Sequence, residues 1–312
     1  MSYCILSFCG GGIRGTLSAG YLSRLYAQFP DVVKNTHLLA GTSTGADIIS
    51  LLMADMTPDK VYDVYMNKAP AEFENMNPLS TMPGYDTEKL VRSQRMLHLL
   101  DRKLNDHKKH SILFTSFNVG SSADNPWKTL LYTNLPVNNN GDVRIVDAVV
   151  SSSLMPGMYG SLGGNVDGAF VNHDPTVAAI ALAVSNGHAL DDIACICFGT
   201  GYMPNWIASD TSNWGALQWQ QGDGNPASQL PPLLINGTSS PVLNMMMNGT
   251  STNLMPQLSQ MLLGDRYVYI NSTLDKIVPE NDINPADLKY MQTLVADEDI
   301  APALTLLESH WK

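Results

Sequence analysis

Twice within the first 53 residues, a short apolar run meets a glycine-rich turn that leads straight into a helical repeat. Tyr3–Phe8 reads as a buried strand ended by Gly10, Gly11 and Gly12. Leu17, Ala19, Leu22, Leu25 and Tyr26 then follow helical spacing as far as residue 28. Residues 37–40 form a second apolar run, closed by Gly41-Thr42-Ser43-Thr44-Gly45 and followed by a helical run over residues 48–53. Parallel strands need a crossover long enough to hold a helix, so this repeated unit predicts an α/β fold. The expected architecture is a three-layer sandwich with a mainly parallel central sheet. A hydrophobic fraction of 44% against 15% charged residues supplies its core and excludes disorder.

Further along, residues 86–104 carry a helical pattern through Leu90, Leu97, Leu100 and Leu104, and residues 111–118 and 128–134 read as strands. Residues 144–152 read as a helix that stops before Pro156. Residues 174–185 predict another, with Asp174 as N-cap and Pro175 at the first position. A buried strand follows at residues 193–198, then a stretch at 201–241 rich in Gly, Pro, Ser and Asn that reads as long loops with short elements. Helices are expected to start at Asn284-Pro285 and to span residues 303–310. No internal repeat and no break in composition forces a division, so one domain is expected over residues 1–312. Its chemical motifs fall within residues 1–201, and residues 202–312 are expected to complete the fold, with a substrate cover left open as a further role.

Acidic residues outnumber basic ones 29 to 18, for a formal net charge of −11, which argues against a nucleic-acid partner. The same balance gives no general attraction to anionic membranes, so contact with lipid must come from apolar patches. No segment reaches the ~18 continuous apolar residues of a membrane span. The N-terminus lacks the basic region of a signal peptide, and a cytoplasmic or peripheral-membrane location is expected. Cys4, Cys9, Cys195 and Cys197 do not form a disulfide framework, which fits a reducing compartment. Cys195 and Cys197 lie two apart in an apolar run, on one face of a strand as small core residues. As a metal pair they lack an evident second pair of ligands, so no metal is expected, and no cofactor.

Gly41-x-Ser43-x-Gly45 fits a nucleophile elbow, in which a serine stands on a strained strand-to-helix turn and its neighbours two either side must be small. By itself the motif leaves a serine capping an ordinary helix equally open. The helix start below Ser43 offers amides and a positive dipole end to a developing oxyanion. Gly10-Gly11-Gly12-Ile13-Arg14-Gly15 also matches a dinucleotide fingerprint. That reading needs an acid about 20 residues on, at the end of the second strand. Asp31 comes too early, and Gly41 and Ser43 occupy that strand end. An oxyanion hole explains the glycines better, because their amides reach a tetrahedral oxygen with no Cβ in the way. Arg14 opposes the helix macrodipole and calls for an anionic partner.

A serine nucleophile needs a base. His173, His188 and His310 all follow Ser43. His188 sits in an apparent turn and His310 in the last helix, neither at a strand-to-loop transition with glycine support. Asp167 is different, because it ends the run Gly163-Gly164-Asn165-Val166 and precedes Gly168-Ala169 and a well-capped helix. That places it at the carboxyl edge of a sheet, where α/β active sites form.

The loop at Gly10 to Gly15, the elbow at Gly41 to Gly45 and Asp167-Gly168-Ala169 together resemble the patatin-like phospholipases. Softer likenesses are the small-residue run 148–156 ending in Pro156, Asn172 with Pro175, and Phe198-Gly199-Thr200-Gly201. The resemblance covers residues 1–201, with one departure at Cys9, where many members have Asp. It implies a dyad of Ser43 and Asp167 without histidine, and an oxyanion hole from the Gly11, Gly12 and Thr44 amides. Gly10, Arg14, Gly15, Gly41, Gly45 and Gly168 complete the motifs. The implied activity is hydrolysis of fatty-acyl esters of phospholipids or related lipids through an acyl-enzyme, with transient membrane contact. A protein activator is compatible with this and not readable. Acyl transfer to another acceptor, or a lipid-binding homologue without catalysis, stays open beside it.

Residues 241–263 hold Met245, Met246, Met247, Met255 and Met261 among leucines, a composition that suits flexible acyl chains and equally an ordinary core. Trp206, Trp214 and Trp219 pose the same choice between interface anchor and loop plug.

Overall fold

The computed structural model describes residues 2–79, 81–97, 102–138, 140–231 and 240–312. Its strands are β1 (Tyr3–Phe8), β2 (Leu38–Thr42), β3 (Ser111–Asn118), β4 (Lys128–Thr133), β5 (Asn165–Asp167), β6 (Ile193–Phe198) and β7 (Tyr267–Ile270). The helices begin with α1 (Gly15–Gln28), α2 (Thr44–Met53), α3 (Pro58–Asn67), α4 (Thr87–Leu97), α5 (Ile145–Ser152) and α6 (Ala169–Asn172). They continue with α7 (Thr176–Ser185), α8 (Ala216–Gln221), α9 (Pro241–Gly249), α10 (Met255–Leu263), α11 (Pro285–Asp297) and α12 (Ala301–His310).

The sheet runs β4-β3-β2-β1-β6-β7, with β5 also on β3. The pairs from β3 through β7 along this path are parallel, and β4 and β5 lie antiparallel to β3. Every residue of β1 and β6 is buried, which is why both read as unbroken apolar runs. Leu6 and Phe8 face a large core built with α1, α2, α11 and α12, including Leu17, Ile48, Met291 and Leu307. Ile5, Cys195 and Cys197 face the other way, onto Ala179 and Ala183 of α7 and Leu263 of α10. Helices therefore cover both faces, and the fold is a three-layer α/β sandwich with a mostly parallel sheet. Among the described residues no helix is long and apolar enough to cross a membrane.

Register decides where the chemistry sits. β2 pairs with β3 from Leu38↔Ser111 to Thr42↔Thr115, and β5 pairs with β3 from Ser116↔Asp167 onward. Because β4 holds the opposite edge of β3, β5 continues the lane that β2 leaves at Thr42. The chain leaving β2 thus turns at Ser43 against the end of β5, which is Asp167.

The last helix starts at Ala301, two residues before its expected start, and two further elements differ. The helix expected over residues 86–104 is described as α4 to Leu97, while Leu104 opens a separate 3-10 turn that Asp106 closes by accepting the Lys103 amide at 2.8 Å. Leu100 lies outside the described residues. The helix after Asp167 starts at Thr176 with Pro175 at the cap position, one residue later than expected. Asp174 still caps locally, accepting the Thr176 amide at 2.9 Å and its hydroxyl at 2.5 Å. The helix at 284 starts as expected, with the Asn284 side chain accepting the Ala286 amide.

Candidate active site

Among the described residues, Ser43 is one of three non-glycine residues with positive φ, at φ 55° and ψ −125°. Such a backbone costs on the order of 1–3 kcal/mol and persists only where its surroundings fix it. Here the Ser43 amide donates to Ser152 Oγ at 2.9 Å, and its carbonyl accepts the Ala46 amide at 2.8 Å and Ser153 Oγ at 3.2 Å. The glycines make the turn possible. A Cβ on Gly45 would lie 2.2 Å from the Phe8 carbonyl oxygen, and one on Gly41 2.5 Å from the Gly45 carbonyl carbon.

Ser43 Oγ donates to Asp167 Oδ2 at 2.7 Å. The other carboxyl oxygen accepts the Ala169 amide at 2.7 Å, and the Asp167 amide donates to the Leu154 carbonyl at 2.9 Å. Burial pushes the Asp167 carboxyl up to about 8, against the lowering effect of its bonds to Ser43 and Ala169. Gly168 packs its Cα against β3, where a Cβ would meet the Thr115 carbonyl at 2.3 Å.

The glycine loop lies alongside. Gly10 spends its amide on the His173 carbonyl at 3.0 Å. Among the described residues the amides of Gly11, Gly12 and Thr44 donate to no protein acceptor, which leaves three donors for a ligand oxygen. Gly12 has φ +57°, and a Cβ there would fall 2.1 Å from the Glu280 carbonyl oxygen. Gly15 begins α1 against the Thr44 side chain, whose hydroxyl contacts the Tyr65 phenol.

Arg14 finds its anion within the chain: its Nη2 lies 3.0 Å from Glu280 Oε1. The Glu280 carbonyl also accepts the Ile13 amide at 2.7 Å, so the segment before α11 clamps the glycine loop from above. Sequence reasoning missed Glu280, which lies in an irregular stretch with no periodic signal. Asp47 was missed too, although its place one turn into α2 was open to reading. It is buried, accepts from Gln94 at 3.0 Å and Ser153 at 3.2 Å, and burial pushes it up to about 7.

His173 is buried, with its Nδ1 unpartnered among the described residues, and burial pushes its ring down to about 4. His188 stacks on Tyr3, and His310 accepts or donates to Ser2 Oγ at 2.7 Å. Among the described residues no histidine hydrogen-bonds Ser43.

A cavity of about 350 Å³ opens beside Ser43 and runs between α2, α3 and α4. Leu51, Val64, Phe73, Leu90 and Met158 line it, with Asp47 on its wall. On the other side of Glu280, a smaller cavity of about 100 Å³ reaches Met247 and Leu243 of α9. The methionine-rich stretch is divided: Met247 and Leu263 are buried, whereas Met245, Met246 and Met261 are 50%, 55% and 81% exposed. Trp206 is 48% exposed and donates Nε1 to the Ala227 carbonyl, and Trp214 and Trp219 pack edge to face.

Over 99% of its length the chain is 26% identical to Protein teg of Priestia megaterium, of which it covers 99%. It is 27% identical to the "Putative sporulation hydrolase CotR" of Bacillus subtilis, covering 99% of this chain and 98% of that one. Patatin-T5 of Solanum tuberosum is 22% identical over 69% of this chain and 66% of its own. Among solved structures, VipD from Legionella pneumophila superposes with a TM-score of 0.46 at 12% identity, over 99% of this chain and 67% of that one. Residues 6–180, more than half of the chain, match the family model described as Patatin-like phospholipase. The chain belongs to the patatin-like phospholipase family.

Proposed function

We propose that the protein is a phospholipase A-type acyl hydrolase that works through an acyl-enzyme on Ser43. The observation that carries this is the 2.7 Å bond from Ser43 Oγ to a buried Asp167, set beside an apolar cavity. Ser43 Oγ attacks the ester carbonyl while its proton passes to Asp167 Oδ2. The carbonyl oxygen, now an oxyanion, takes the free amides of Gly11, Gly12 and Thr44; one such donor is typically worth ~3 kcal/mol. The C–O bond to the glycerol side breaks as Asp167 returns the proton to the departing oxygen. Water then attacks the acyl-serine, giving up its proton to Asp167, and the fatty acid leaves as Ser43 regains its hydrogen. A carboxyl held near 8 is a far stronger base than an ordinary one, so it can do the work usually given to histidine.

The 350 Å³ cavity suits the acyl chain, and the exposed methionines of α9 and α10 suit transient contact with a lipid surface. Family membership supports a lipid-directed acyl hydrolase, and the apolar cavity and exposed methionines support a phospholipid ester drawn from a membrane surface. Mass spectrometry of products from a mixed panel of phospholipids and neutral glycerides tests it, with Ser43→Ala as the blank. Release of free fatty acid and lysophospholipid by the wild type alone is expected. Release from neutral glycerides only would overturn the phospholipid assignment, and acyl chains moved to another alcohol would replace hydrolysis by transfer.

A further inference from the structure

The Cys195-x-Cys197 pair offers no second pair in sequence, but the fold brings other ligands to one of its members. Cys9, at the end of β1, lies beside Cys197 of β6 because Ser7 and Cys197 are register partners and residues two apart share a face. Their sulfurs are 3.7 Å apart. Asp174, just before α7, places Oδ1 3.6 Å from Cys197 Sγ. All three ligand atoms lie within 4.8 Å of one another.

These lengths are the edges of a metal tetrahedron. With Zn–S near 2.3 Å and Zn–O near 2.0–2.2 Å, tetrahedral angles put two sulfurs about 3.8 Å apart and a sulfur and an oxygen about 3.6 Å apart. A relay of thiol hydrogen bonds, between Cys9 and Cys197 and from Cys197 to Asp174 Oδ1, would account for both distances. It would not account for Asp174 Oδ2, which is buried and without a partner among the described residues, in a carboxyl group that is 0% exposed. A buried carboxylate oxygen without a donor is costly, and a cation is the partner that two neighbouring thiols select. Tyr267, whose side chain shares this face of the sheet with Cys195, also has a buried hydroxyl without a partner among the described residues.

We propose that Cys9, Cys197 and Asp174 form a structural site for a thiophilic divalent cation, zinc foremost, with Asp174 Oδ2 free to complete the coordination. Binding displaces the two thiol protons and the carboxyl proton to solvent and leaves a net charge of −1 on the cluster. Cys9, Cys197 and Asp174 are 2%, 0% and 0% exposed, so the site is shut off from solvent and substrate, which suits a structural ion. Its role is to tie three segments of the active site together. Cys9 opens the glycine loop, Asp174 follows the Asp167 turn, and Cys197 precedes Thr200, whose hydroxyl donates to the Gly10 carbonyl at 2.6 Å. The site is independent of the hydrolytic reading, because it would hold whatever Ser43 acts upon.

The test is the metal content of the full-length, untagged chain purified without chelator, together with the absorption of the same chain loaded with Co²⁺. One zinc per chain is expected, as is a thiolate-to-cobalt charge-transfer band with four-coordinate visible bands. Cys197→Ser and Asp174→Asn should lower zinc occupancy at equal total zinc by at least about tenfold, while Cys195→Ser, outside the cluster, retains it. Should those variants not fold, the wild type decides alone: modification of its thiols by an organomercurial should release one zinc into a chromogenic chelator. Absence of zinc together with a featureless cobalt spectrum would overturn the site. So would a Cys9–Cys197 disulfide in the freshly purified chain.

Discussion

Asp167 Oδ2 receives the Ser43 hydroxyl at 2.7 Å while Oδ1 receives the Ala169 amide at 2.7 Å, so both oxygens of a fully buried carboxyl are held by donors. Those donors do not offset the desolvation, and the group sits near 8 instead of its ordinary 3.8. Proton abstraction requires the ionised form, so kcat/KM on a short-chain ester should rise with pH through about 8. Asp167→Asn should cost ~10³ or more, since an amide cannot take the proton. A flat profile between pH 6 and 9, or a mild Asn variant, would point to another base.

The same carboxyl lowers stability. Its folded value lies above its unfolded one, so the fold is favoured fully below pH 3.8 and loses that contribution as pH rises through about 8. Asp167→Asn keeps an acceptor for Ala169 and a donor toward Ser43 without the buried charge. It should raise stability at pH 9 by on the order of 5 kcal/mol and make little difference near pH 4. Urea unfolding of both proteins at the two pH values checks this, and an equal change at both would show that charge is not the cause.

Glu280 also helps hold the Asp167 carboxyl up, because two negative charges in one buried site disfavour each other. Glu280→Gln should therefore move the rising limb of the pH profile to lower pH while leaving Arg14 a neutral acceptor. A shift to higher pH would mean that Glu280 acts only by placing Arg14.

Replacing Gly12 by Ala puts a Cβ 2.1 Å from the Glu280 carbonyl and asks a residue with φ +57° to accept a side chain. The loop must move, and the oxyanion donors with it. A loss of at least ~10² in kcat with a small change in melting temperature is expected, since one donor alone is worth ~3 kcal/mol. A change confined to melting temperature would place the loop outside the chemistry.

Strands β1, β3 and β6 were legible to the residue, because buried parallel strands are continuous apolar runs ended by turn residues. The Ser43 turn was legible from Gly41 and Gly45, whose absent side chains answer to close backbone contacts. Helix α3 and strand β7 were not foreseen: α3 buries only Pro58, Val61 and Tyr65, and β7 is four residues long. Glu280 and the Cys9–Cys197–Asp174 cluster were out of reach for a different reason. Each is a contact between segments 23 to 266 residues apart, made by register and by irregular chain, neither of which leaves a local pattern.

Exposed Met245, Met246 and Met261 give the lipid surface its own test. Changing all three to Ser should weaken action on vesicles by about tenfold or more while sparing a soluble ester, which needs only the dyad and the free amides. Because acidic residues exceed basic ones by 29 to 18, moderate salt should matter little on either substrate. Equal losses on both substrates would assign the methionines to packing.

On the proposed mechanism, Asp167 alone activates Ser43 as a nucleophile. Intact-mass and peptide mapping after reaction with a fluorophosphonate probe tests it most directly, because the probe bonds only to an activated serine. One adduct per chain is expected, on Ser43, forming faster as pH rises through about 8 and lost in both Ser43→Ala and Asp167→Asn. No adduct on the wild type, or one that forms as readily in Asp167→Asn, would rule out activation of Ser43 by Asp167.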